Sequence, residues 1–178
     1  MALQLFASRG FHGTSMDDIA EAAGVTKPVL YQHFRSKREL YLALLEEVGE
    51  GLRHAIEKAT AEAGTRRAQV ERGFVAYFRW VAHDRASFLL LFGSGARRDG
   101  EFAEAVRRSE TAIADAIAPL IQADIDPEHQ RVLAYGLVGL AEATSRRLVH
   151  AGGDFDADRV AMQVAELAWA GLRGVRRI

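Results

Sequence analysis

The chain of 178 residues has no cysteine, which excludes disulfides, thiol catalysis and thiolate metal sites without fixing the compartment. It also lacks any apolar stretch of the length needed to cross a bilayer, and its amino terminus has no charged region followed by an apolar run. A soluble, cytoplasmic protein with no membrane partner is expected. The formal net charge is only −1, which argues against coating nucleic acid through bulk charge but leaves room for a local basic surface. The six histidines are scattered, with no i, i+4 pair and no His-Glu-x-x-His, so a zinc hydrolase is not indicated. Gly93-Ser94-Gly95 has neither the Gly-Lys-Ser/Thr of a phosphate loop nor the flanks of a nucleophile elbow, and reads as a mobile loop. No catalytic constellation, cofactor site or metal site is found.

Nearly half of the residues are hydrophobic, enough for a substantial core. Strand-period segments are missing, and alanine-rich runs punctuated by Gly, Asp and Pro predict an all-α protein. The most informative run is Thr14 to Phe34. Thr14 with Asp17 has the form of a capping box, Ile19, Ala20 and Ala23 give a small apolar face, and Gly24 supplies the turn. Val25 is expected to point inward. Thr26 caps a second helix with Pro28 in its first turn and Leu30 and Phe34 as its buried pair. Lys27, Pro28, Val29, Tyr31, Gln32 and His33 remain outward, a set suited to phosphates and base edges in a major groove. Ser36-Lys37-Arg38-Glu39 then opens a long helix. From Thr26 to Arg38 there are four Lys or Arg and no acid.

Leu5-Phe6-Ala7-Ser8-Arg9-Gly10-Phe11, Thr14 to Ala20, Gly24-Val25-Thr26-Lys27, Leu30 to Phe34 and Ser36 to Leu40 resemble the amino-terminal domain of the TetR family of bacterial transcriptional regulators. The resemblance covers about the first quarter of the chain. It implies a three-helix DNA-binding head with a helix-turn-helix (residues 1–46), followed by a larger helical ligand-binding and dimerisation domain (47–178), about nine helices in all. It also implies a homodimer on a palindromic double-stranded operator, usually a repressor released by a small molecule, and further residues ahead of Leu5-Phe6. By matching positions, Thr14, Tyr31 and Lys37 would touch phosphates, Thr26, Lys27, Pro28, Val29 and Gln32 would face bases, and His33 could do either.

In the body, helix signals recur to the end of the chain, with Thr65, Asp84, Asp126 and Asp156 as starts. Two late helices carry rows of small residues, Gly136, Gly139 and Ala143 on one and Ala161, Ala165, Ala168 and Gly171 on the other. Such rows allow close helix approach, either within the chain or, as the resemblance implies, in a four-helix dimer interface. Aromatic residues concentrate on the middle helices. They form either a solid core or the wall of an apolar effector cavity bounded by Phe74, Phe78, Phe88, Phe92, Phe102 and Ser109, with Tyr135 and Glu142 as polar anchors. A DNA-binding dimer without small-molecule control, and an enzyme with unrecognised pocket chemistry, stand as alternatives.

Overall fold

Short polar residues at most helix starts, hydroxyl or carboxylate, and glycine or extended residues at several helix ends divide this chain into helices. The structure, a computed structural model, describes residues 1–93, 95–96 and 99–176; Ser94 of the Gly-Ser-Gly loop lies outside them. The described residues form α1 (Ala2–Arg9), α2 (Met16–Ala23), α3 (Lys27–His33), α4 (Lys37–Ala61), α5 (Arg66–His83), α6 (Arg85–Phe92), α7 (Gly100–Ile117), α8 (Pro127–Ala151) and α9 (Ala157–Leu172), with no strand among them. The expected starts hold: the side chains of Thr65, Asp84, Asp126 and Asp156 accept from the amides of Ala68, Ser87, His129 and Arg159 at 2.9–3.1 Å. Each satisfies an amide that has no partner inside its helix.

The α2 cap is shifted by one residue. Ser15, not Thr14, accepts from the Asp18 amide, and the Asp18 carboxylate accepts from the Ser15 amide at 2.7 Å. Adjacent hydroxyls fit the same short pattern, and Thr14 is held elsewhere: it is buried, its Oγ1 donating to the Gly10 carbonyl at 2.9 Å.

The chain forms two compact units. The first comprises residues 1–49 together with 84–107. Here α1 packs against α6 and α2, and α2 against α3. Its interior is aromatic: Phe6 meets Tyr41 edge-on at 4.9 Å, and Phe102, at the start of α7, lies 4.8 Å from Phe11 and 4.5 Å from Tyr41. Edge-to-face packing of this kind adds specificity to the area buried. Burial pushes the Tyr41 phenol up to about 12. Outside the rings, Arg38 lies over Phe102 at 4.6 Å and forks onto both Asp99 carboxylate oxygens at 2.7 Å, with Glu101 on its other side.

The second unit comprises residues 50–83 and 108–178. In it α5 runs along α9 and also meets α8, while a short 3-10 turn at Ala118–Leu120 tucks against α8. Phe74, Tyr77, Phe78 and Val81 are the buried face of α5; Ala161, Val164, Ala165 and Ala168 are that of α9. A second apolar cluster joins Ala114, Ala118, Ile121 and Ala134. Alanine rows bring helix axes together because nothing beyond Cβ separates them.

Candidate nucleic-acid interface

The turn between α2 and α3 needs a left-handed residue, and Gly24 supplies it with φ 68° and ψ 26°. The Val25 amide closes the turn on the Ala20 carbonyl at 3.0 Å. Val25 itself is exposed rather than inward, because the turn needs only its backbone. Thr26 then stands extended at the start of α3, and its hydroxyl makes no capping bond, which leaves it open to an outside partner. Leu30 is buried and fixes the inner face of α3, while Phe34 is half-buried. Thr26, Lys27, Pro28, Val29, Tyr31, Gln32 and His33 are all exposed, so the residues expected at base edges share the open surface of α3. Lys27 is held by Asp17 of α2 at 2.9 Å, a bond that raises its pKa. That contact positions the ammonium beside the recognition helix and must exchange if Lys27 is to take a base or phosphate.

One assignment, that of Thr14, is corrected, and a second, that of Lys37, gains a structural role. Thr14 cannot offer its side chain to phosphate, since it is 1% exposed and spends its proton on backbone carbonyls. Lys37 is an internal tie: Nζ donates to the Phe11 and Thr14 carbonyls at 2.7 Å each and lies 4.4 Å above the Phe11 ring. It joins the start of α4 to the loop before α2, leaving one N–H for any further partner. The role of Arg38 escaped sequence reasoning, because its partners Asp99 and Glu101 lie some sixty residues away along the chain. Ser36 does cap α4, accepting from the Glu39 amide at 3.1 Å, but Glu39 reaches the Arg35 amide rather than that of Ser36.

The residues expected to wall an effector cavity are distributed between the units. Phe88, Phe92 and Phe102 belong to the first, and Phe74, Phe78, Ser109, Tyr135 and Glu142 to the second. Phe102 is packed on Phe11 and Tyr41, so it serves the core of the head, not a cavity wall. Tyr135 is no buried anchor either: it is 44% exposed and donates to Thr111 Oγ1 at 2.8 Å. Glu142 is mostly buried and pairs with Arg146 one turn on. Ser109 is half-buried on α7.

The small rows also separate. On α8, Gly136, Gly139 and Ala143 are exposed, in line with the exposed Val132 and Tyr135. On α9, Ala161, Ala165 and Ala168 are buried within the unit, so they are corrected from dimer contacts to intrachain packing. The outward apolar residues of α9 are Met162 and Leu167, with Gly171 exposed further along. No helix is long and apolar enough to cross a membrane, and no cluster of three potential metal ligands occurs, both among the described residues.

The glycine-hinged α2–α3 pair, with its open recognition face, defines a helix-turn-helix DNA-binding protein. Residues 1–44 match the bacterial regulatory proteins of the tetR family, and residues 66–171 match the tetracyclin repressor-like C-terminal domain. The HTH-type transcriptional activator FasR of Mycolicibacterium smegmatis is 33% identical over 176 residues, spanning 98% of this chain and 80% of its own. A TetR-like transcriptional regulator from Rhodococcus sp. RHA1 superposes with a TM-score of 0.78 at 31% identity, covering 98% of this chain and 92% of that one. FadR from Bacillus subtilis, solved in complex with stearoyl-CoA, gives a TM-score of 0.81 at 18% identity, covering 96% and 95%; at that identity the likeness concerns the fold. The chain belongs to the TetR family of transcriptional regulators.

Proposed function

We propose that two copies of this chain form a dimer that grips a palindromic operator with one α3 helix per half-site, and that a small hydrophobic ligand releases it. The observation that carries the DNA-reading part is the open, acid-free face of α3, where Thr26, Lys27, Pro28, Val29, Tyr31, Gln32 and His33 stand together. Thr26, Lys27, Pro28, Val29 and Gln32 face bases, Tyr31 takes a phosphate, and His33 takes either. Binding-site selection tests this: a two-fold symmetric consensus for the parent and a relaxed one for Gln32→Ala are expected. An unchanged consensus would remove Gln32 from base reading.

Dimerisation is assigned to the outward stripe of α8, Val132, Gly136, Gly139 and Ala143, with Met162, Leu167 and Gly171 of α9. Exposed apolar residues beside glycines suit a self-complementary two-fold contact. Whether occupancy silences or stimulates a promoter depends on where the operator lies. Repression is proposed for an operator that overlaps the polymerase site, while the FasR relative is named an activator. Ligand control draws support from a fold shared with a protein that holds stearoyl-CoA. The packing of Phe102 into the head favours the second reading, a DNA-binding dimer without small-molecule control, for that part of the aromatic cluster. Thermal melting and operator release with a candidate effector distinguish the two.

A further inference from the structure

The outward face of α3 has no acid of its own, yet one is fastened to it from α2. Lys27 Nζ donates to Asp17 Oδ2 at 2.9 Å, and both side chains are open, 50% and 67% exposed. Asp17 suits the positive end of α2, but so would any acid, and the cap itself is made by its neighbour. Asp18 completes the capping box with Ser15, and it is Asp18 that lies 3.6 Å from Arg9. An ion pair as open as Lys27–Asp17 adds little to stability, because solvent screens it and a flexible lysine must be held still. A carboxylate beside a DNA-reading surface is also a liability, since it faces a field of phosphates. That cost is offset only where the DNA presents a donor, and in the major groove the donors are the exocyclic amines of cytosine and adenine.

We propose that Asp17 and Lys27 together read one G·C base pair in each half-site, which makes Asp17 a specificity-determining residue on the helix that precedes the reading helix. The ammonium has three N–H groups and spends one on Asp17, so two remain for guanine O6 and N7. Oδ2 takes the ammonium, and because a carboxylate accepts on both oxygens it can also take the cytosine N4 amine. Guanine O6 and cytosine N4 are neighbours within one base pair, an acceptor beside a donor. The ion pair opposes them with a donor beside an acceptor, 2.9 Å apart. An A·T pair sets the adenine amine beside thymine O4, but thymine gives the ammonium a single acceptor flanked by a methyl group. Where the base pair is wrong, the carboxylate meets an acceptor and is repelled, so the acid rejects as well as selects. The assignment rests on the DNA-reading proposal above and names one base pair of its operator.

The test is selection from a random duplex library by the full chain and by Asp17→Ala, Asp17→Asn, Lys27→Ala and the double alanine variant. Competition with single-base variants of the selected operator then measures each preference. The parent should require G·C at one position per half-site. Asp17→Ala should relax that position about tenfold, the worth of one base-edge contact, and should melt like the parent. Asp17→Asn keeps an acceptor oxygen and should relax it less. Lys27→Ala should act on the same position, and the double variant should lose less than the two single losses added, because one pair serves one base pair. Removing an acid raises binding to unrelated DNA in any case, so the ratio of operator to unrelated affinity is the quantity read. Asp17 variants that bind every sequence more tightly by one factor, with the consensus unchanged, would make Asp17 a bulk charge and overturn the proposal. So would a required A·T, or separate positions for Asp17 and Lys27. A lowered melting temperature with equal loss on all sequences would make Asp17 a structural residue and overturn it as well. A consensus relaxed by Gln32→Ala but not by Asp17→Ala keeps α3 as the reader and sinks this pair, whereas a parent that selects no consensus sinks both.

Discussion

A lysine beside a DNA-reading helix suits a phosphate and a backbone carbonyl equally well, and Lys37 takes two carbonyls. Its removal should therefore be felt in the fold. Lys37→Ala is expected to lose about 1.5–3 kcal/mol of stability, the range for hydrogen bonds that involve a charged group. In a chain of this size that lowers the melting temperature by roughly 3–12 °C. A variant that melts like the parent and only binds DNA more weakly would return Lys37 to the phosphates. Lys27 should behave in the opposite way, since its ammonium is exposed and tied only to Asp17. Lys27→Ala should leave melting unchanged and, if it neutralises a phosphate, flatten the slope of log K against log salt by about one unit. Gln32→Ala should lose roughly 1–3 kcal/mol of discrimination at one base pair per half-site, read by competition with single-base operator variants. The outward set of α3 was legible because a glycine stop, a proline at the first turn and the inward Leu30 fix which way the helix is turned. The roles of Thr14 and Lys37 were not, because each depends on carbonyls, Gly10 in one case and Phe11 in the other, whose direction only the folded loop sets.

Helix boundaries followed from local chemistry, so Asp84, Asp126 and Asp156 cap as their sequence neighbourhoods predict. Partners of helices did not. A row of alanines signals close approach without saying to what, and Ala161, Ala165 and Ala168 approach helices of their own chain. The glycines of α8 carried the same signal but stand in the open, and a Cβ built at Gly139 meets nothing within 4 Å. The two rows therefore respond differently to enlargement. Ala165→Leu should cost about 1–3 kcal/mol through overpacking and lower the melting temperature at any protein concentration. Gly139→Arg should spare the fold of the single chain and shift light scattering from dimer to monomer, with weaker operator binding as the two heads lose their linkage. If Gly139→Arg stays dimeric, the interface lies elsewhere; if Ala165→Leu melts like the parent, α9 is looser than its burial implies.

For the molecule as a whole, composition and caps made the helical class plain, while the family resemblance implied a head of residues 1–46, before the chain leaves for α5. Residues 84–107 return to that head, and nothing local to Phe102 or Asp99 announces that their partners are Phe11, Tyr41 and Arg38. The Arg38 bond holds the Asp99 carboxyl below its usual value of 3.8. A depressed carboxyl stabilises the native state above its unfolded pKa and loses that contribution as pH falls through the lower native one. Acid titration of the parent should then show a loss of stability below about pH 4 that Asp99→Asn, already without the pair, does not repeat. Because both groups are only partly buried, added salt should shrink the difference. The aromatic plug also decides how such a protein can be recombined. A chimera that grafts residues 1–49 onto the body of another regulator would carry Phe11 and Tyr41 away from the ring that covers them, exposing apolar surface at the base of its own recognition unit. Moving residues 84–107 with them should restore operator affinity to the hybrid, so the exchangeable module is discontinuous in the gene though contiguous in space.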